Sequence, residues 1–157
     1  MFDPKSFTLD GQVALVTGAG AGIGRGIAEM FAGAGAAVVV SDLHAETAEA
    51  VAAEIETAGG KAVGIACNVT REEDLQAAVQ TAVDRFGSLT ILVNNAGGGG
   101  PKPFDMPMED FRWAYEINVF APFRLTQIAV PHMEAAGGGS VLNISSMSAE
   151  NKNQRMA

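Results

Sequence analysis

Cysteine is nearly absent: Cys67 stands alone in 157 residues. That excludes a disulfide framework and a cysteine metal cluster, and it fits a reducing compartment, so a cytoplasmic location is expected. Histidine is almost as scarce. His44 and His132 lie far apart with no ligand spacing around them, so each is expected at the surface or on a helix and no metal site is expected. Positive charge is also short: 10 Lys and Arg against 18 Asp and Glu leave a net charge of −8. That balance argues against nucleic acid or an anionic membrane surface as a partner. No apolar run is long enough to span a bilayer, and the opening Met1-Phe-Asp-Pro-Lys5 carries no apolar signal region. Internal repeats, low-complexity tracts and linkers are missing as well, so residues 1–157 read as one domain.

What the chain has is apolar residues, 48% of the total, and 19 glycines. The most informative stretch is Thr17-Gly-Ala-Gly-Ala-Gly-Ile-Gly24, directly after the apolar run Val13-Ala-Leu-Val16. A short continuous apolar run is what a strand buried on both faces looks like. The glycines follow where that strand would turn into a helix, whose free N–H groups and positive end can hold a pyrophosphate. Gly18 would allow the tight turn, Gly22 would let the backbone approach the phosphates, and Gly24 would let the helix pack close to the strand. The spacing is G-x-x-x-G-x-G, so the cluster alone is weak evidence, and its context strengthens it. A helix over 23–34 ends at Gly35, an apolar run follows over 37–40, and Asp42 closes it. Asp42 lies 18 residues past Gly24, close to the spacing of the acid that binds the adenosine ribose.

Strand and helix then alternate. A helix over 47–58 places Val51, Ile55 and Ala58 on one face, and 61–67 reads as a third strand. Thr70-Arg-Glu-Glu73 has the capping-box pattern, and the helix after it buries Leu75, Val79, Ala82, Val83 and Phe86 and stops at Gly87. A fourth strand covers 90–93. A long helical stretch covers 108–136, with Pro122 and Pro131 as kinks, and a fifth strand covers 140–144. This pattern predicts an α/β fold with a doubly wound parallel sheet, right-handed crossovers and helices on both faces. Ligands of such sheets bind outside the carboxyl ends of the strands. Gly18, Asp42, Asn68, Asn95 and Ser146 all fall just past strand ends and can converge there.

Four motifs in order, Thr17-Gly-Ala-Gly-Ala-Gly-Ile-Gly24, Asn94-Asn-Ala-Gly97, Asn118 and Asn143-Ile-Ser-Ser146, resemble the short-chain dehydrogenase/reductases over the whole chain. The resemblance implies a Rossmann-type fold, NAD as cofactor, a small-molecule alcohol or ketone substrate and a homo-oligomer, a tetramer in many members. It implies that Thr17, Gly18, Gly22, Ile23, Gly24, Asp42, Leu43, Asn68, Val69, Asn95, Ala96 and Gly97 line the cofactor. It implies that Ser146 holds the substrate oxygen and that Asn118 supports a water-linked proton relay. A hydroxyl suits both directions of the reaction, because it donates to a ketone or accepts from an alcohol. The stretches from Gly97 to Pro107 and from Ser146 to Asn153 narrow the resemblance to members that interconvert the 7α-hydroxyl and 7-ketone of bile acids. Gly97 to Gly100 would leave the cleft wall bare, with Met106, Met108 and Met147 as adaptable apolar flanks. Gly99 and Asn151 join Ser146 as candidate substrate contacts, and Asn153 could also reach the rim.

The chain departs from that pattern twice. Asn68 stands where the family usually has an aspartate facing the adenine amino group; it retains an acceptor oxygen for that contact. The family's Tyr-x-x-x-Lys motif is missing. The chain stops at Ala157, eleven residues after Ser146, and its sole tyrosine, Tyr115, has Val119 four residues on and is expected to serve helix packing. The sequence therefore reads as the N-terminal three-fifths of such a protein, truncated after the fifth strand. It is expected to be inactive alone, with Val141-Leu-Asn-Ile144 left as an open, association-prone edge. Two other readings stay open: a non-catalytic dinucleotide-binding redox sensor, against which the retained Ser146 and Asn118 argue, and a structural fragment. A dehydrogenase acting on another alcohol also remains open.

Overall fold

The structure is a computed structural model that describes residues 7–99 and 103–146. Five strands form one sheet: β1 (Val13–Thr17), β2 (Ala37–Asp42), β3 (Lys61–Ala66), β4 (Ile91–Asn94) and β5 (Ser140–Asn143). Their order is β3-β2-β1-β4-β5, and every neighbouring pair is parallel. The chain thus runs outward from β1 to β3, returns to the other side of β1, and continues to β5. The reversal falls between β1 and β4, where two crossovers leave in opposite directions and open a crevice at the carboxyl ends.

Alternation along the buried strands explains why both faces need helices. Val13 and Leu15 of β1 and Val39 of β2 join a core built with α3 (Glu72–Phe86) and α5 (Ala121–Ala135), through Leu75, Val79, Leu125 and Met133. The intervening Ala14, Val16, Val38 and Val40 join a second core with α1 (Gly22–Gly33) and α2 (Ala45–Thr57), through Ala28, Ala48, Val51 and Ile55. Strands that bury both faces read as continuous apolar runs, and these do. Gly87 adopts a left-handed conformation at the C-cap of α3, with φ 84°, which glycine tolerates at little cost.

Three local readings are corrected. The capping box at Thr70 and Glu73 does not form: Arg71 is the N-cap of α3 and no side chain caps it. Thr70 is instead captured by an Asx turn, its N–H and hydroxyl both donating to Asn68 Oδ1, because short polar side chains compete for nearby backbone. The helical stretch from 108 is broken not at a proline but at a π-helical turn, Glu116–Phe120, between α4 (Met108–Tyr115) and α5. Pro122 follows that turn directly as the second residue of α5, and α5 continues past Pro131 to Ala135. Ala58 lies past the end of α2 and is exposed, while Ala48 and Ala52 complete the buried face. Tyr115, expected to serve helix packing, is 45% exposed and touches Phe111 and Phe120 along the helical surface. At the far side β5 ends the sheet among the described residues, with Leu142 exposed.

Candidate cofactor cleft

Thr17 is the hub from which the cleft is built. It ends β1, is 1% exposed, and its hydroxyl donates to Val93 O while accepting the backbone N–H groups of Asn95 and Ala96, each at 3.0 Å. Its side chain therefore holds β4 to β1 and presents no free hydroxyl to a ligand. Asn95 returns the link: its Nδ2 donates to Thr17 O at 2.9 Å and to Gly18 O at 3.1 Å. Asn94 does the same on the other side, donating to Asn143 Oδ1 at 2.9 Å. The pair thus tie β4 to its neighbours on both sides.

The glycines divide the labour as their backbone requires. Gly18 turns with φ 62° and Gly22 with φ 58°, a region that favours glycine. A Cβ on Gly24 would collide with Gly18 O and the Asn95 amide, so the first turn of α1 sits directly against the β1 turn. A Cβ on Gly22 would meet nothing, so that approach is open. Ala21 caps α1 without a side-chain bond, and the first turn holds no acid. Its N–H groups thus lack an internal anion, which suits a phosphate.

Asp42 stands across from that turn. Its Oδ2 accepts the Gly20 N–H at 2.9 Å, and its Oδ1 accepts the His44 N–H at 3.4 Å. Gly20 was not among the residues foreseen, although it lies in the same glycine run. A Cβ there would crowd both the Asp42 carboxylate and Thr47 Oγ1. Ile23 and Leu43 are 67% and 59% exposed beside this opening, whereas Val69 is buried and belongs to the core. Arg25, the nearby cation of α1, is committed to Glu29 and Glu54.

On the other side of the crevice the π-helical turn presents Asn118. Its Nδ2 donates to Gly98 O and to Ala114 O, both at 2.8 Å, and its Oδ1 accepts the Gly98 N–H at 3.2 Å. Both amide hydrogens are therefore used, and one lone pair of Oδ1 remains for water. Gly97 lies against the same oxygen, and Gly99 has φ 102°. Ser146 lies three residues past β5. Met106 and Met108 lie beyond Gly99, with Met108 60% exposed. Gly100, Met147, Asn151 and Asn153 lie outside the described residues.

A parallel sheet in this order, with a glycine turn after β1, an acid after β2 and an uncapped helix between them, is a Rossmann-type dinucleotide fold. The chain belongs to the short chain dehydrogenase family, whose pattern matches residues 12–157. It is 56% identical over 156 residues to the 7α-hydroxysteroid dehydrogenase of Escherichia coli (strain K12), covering 99% of this chain and 61% of that protein. It is 41% identical over 138 residues to the cyclohexanol dehydrogenase of Acinetobacter sp. (strain SE19), covering 87% of this chain and 55% of that protein. A solved 7α-hydroxysteroid dehydrogenase complexed with NADH and 7-oxo glycochenodeoxycholic acid superposes with a TM-score of 0.95 at 56% identity, over 98% of this chain and 60% of that one. The chain thus spans about three-fifths of the length of these relatives.

Proposed function

We propose that this chain is the cofactor-holding part of an NAD-dependent dehydrogenase that interconverts a secondary alcohol and a ketone, with the 7α-hydroxyl of a bile acid as its substrate. The observation that carries the cofactor is Asp42, a carboxylate held by two backbone N–H groups opposite the uncapped end of α1. Such a carboxylate accepts from the two ribose hydroxyls and repels a 2′-phosphate. No Arg or Lys occupies Ala21, Ser41 or Leu43 to offset that repulsion. The similarity to 7α-hydroxysteroid dehydrogenases supports the substrate.

The nicotinamide ring, when bound, supplies the hydride chemistry. Within the chain, Ser146 would hold the substrate oxygen, and Asn118 would fix the glycine loop that borders it. The alcohol proton needs an acceptor whose pKa can approach neutrality. These 157 residues hold no Tyr-x-x-x-Lys to supply one. A chain of these residues alone is expected to turn over no alcohol.

Among the described residues no helix is long and apolar enough to cross a membrane, and a cytoplasmic location is proposed. Phe111, Tyr115, Phe120 and Phe123 leave an aromatic surface partly exposed along α4, the π-helical turn and α5, which supports assembly with a second copy.

The test is an assay of the full-length protein with NAD against 7α-, 3α- and 12α-hydroxy bile acids and simple secondary alcohols. The highest kcat/KM is expected for the 7α-hydroxyl, with a 7-ketone product. Best activity on a small linear alcohol refutes the steroid substrate.

A further inference from the structure

Asn68 lies at the carboxyl end of the sheet one strand beyond Asp42. Register pairs Asp42 with Ala66, and the Cys67 N–H donates to Asp42 O at 2.7 Å, so Asn68 follows immediately. A dinucleotide with its pyrophosphate at the β1 turn and its ribose at Asp42 carries its purine onward in the same direction, over the end of β3.

What Asn68 can offer a purine is fixed by Thr70. The Thr70 N–H lies 3.1 Å from Asn68 Oδ1, and the Thr70 hydroxyl lies 2.8 Å from the same atom. A backbone N–H can only donate, so the atom it meets must be the carboxamide oxygen, and the amide cannot be flipped. A carbonyl oxygen has two lone pairs, and both are taken. The side chain's remaining hydrogen-bonding atom is Nδ2, which only donates. An aspartate here would spend one oxygen on Thr70 and keep a second acceptor for the purine. Asparagine puts a donor in that second place, so the acceptor foreseen for the adenine amino group is already occupied.

Adenine carries a donor amino group at C6. A 6-oxo purine carries an acceptor there instead and a donor N1–H where adenine has the N1 acceptor, so each base offers one acceptor on that edge to a donor. We propose that Asn68 meets the purine as a donor, so that the site barely distinguishes 6-amino from 6-oxo purine dinucleotides. This rests on the dinucleotide reading of the cleft.

Calorimetric titration of the full-length protein with NAD and with nicotinamide hypoxanthine dinucleotide tests it without turnover. The two Kd values are expected within about threefold of each other, and Asn68→Asp is expected to favour adenine by about tenfold or more. Thr70→Val, which frees one lone pair of Oδ1, is expected to move the ratio the same way by a smaller factor. A native preference for either dinucleotide beyond about threefold overturns the inference, as does a ratio that neither variant moves. Failure of both dinucleotides to bind sinks the dinucleotide reading, and this inference with it.

Discussion

The carboxamide of Asn118 is locked onto the backbone of Gly98 at two points, donating to its carbonyl and accepting from its N–H. The π-helical turn is what brings the side chain there, since Asn118 lies within Glu116–Phe120. Gly98 is in turn confined by Trp113, whose ring a Cβ at that position would strike. The glycine loop after β4 is therefore held from one side chain and one aromatic ring.

Asn118→Leu removes both bonds while keeping comparable volume. Leaving the Gly98 N–H and carbonyl to find other partners is expected to weaken NAD binding about tenfold. Trp113 is the sole tryptophan, so its fluorescence should report the freed loop directly. Unchanged emission together with unchanged NAD affinity would show that the loop does not depend on Asn118.

Thr17→Val deletes the acceptor of two backbone N–H groups in the interior. The expected loss is about 2–4 kcal/mol, from leaving two amides unsatisfied. Thr17→Ser keeps the hydroxyl and should recover most of it. Urea unfolding of the full-length protein measures both, and equal stability of the valine and serine variants would contradict the hub.

Gly24 and Gly26 lie two residues apart on α1 and should respond oppositely to alanine. Gly24→Ala drives a methyl into Gly18 O and the Asn95 amide. Gly26→Ala meets nothing within 4 Å and should stabilise by roughly 0.5–1 kcal/mol through helix propensity. Thermal melts of the two variants decide this by sign.

Burial, aided by the negative charge of Asp74, pushes the Cys67 thiol from 9.0 up to about 11. In the unfolded chain the thiol ionises first, so between those values the folded state binds more protons. Its contribution to stability is complete below pH 9.0 and is lost as pH rises towards 11. The loss should reach about 2–3 kcal/mol. Subtracting the pH dependence of Cys67→Ala isolates the contribution of this thiol. Identical slopes in the two proteins above pH 9 would refute it.

The layered core and the order of elements were legible because the central strands β1, β2 and β4 are largely apolar runs and α1, α2, α3 and α5 each bury one face. Asp42 was legible from its distance to the glycines. The π-helical turn was not, since nothing in Glu116 to Phe120 marks a widened turn locally; it is stabilised by what Asn118 reaches across the cleft. The failed capping box at Thr70 has the same lesson. Its pattern was correct, but Asn68 two residues earlier competes for the same groups. The resemblance placed Thr17 at the cofactor, and what its sequence neighbourhood does not show is its burial and its bonds to β4, which lies 74 residues later in the sequence.

The most direct test of the account is the relative affinity of the full-length protein for NAD and NADP. Asp42, fixed by the Gly20 and His44 N–H groups, would face the 2′-phosphate with no Arg or Lys at Ala21, Ser41 or Leu43 to relieve it. Each charge pair of that kind costs about 1–4 kcal/mol, so NAD should bind at least about fivefold more tightly. Asp42→Ala should remove most of that difference. Equal affinity for the two cofactors, or a preference that survives Asp42→Ala, would contradict the central claim.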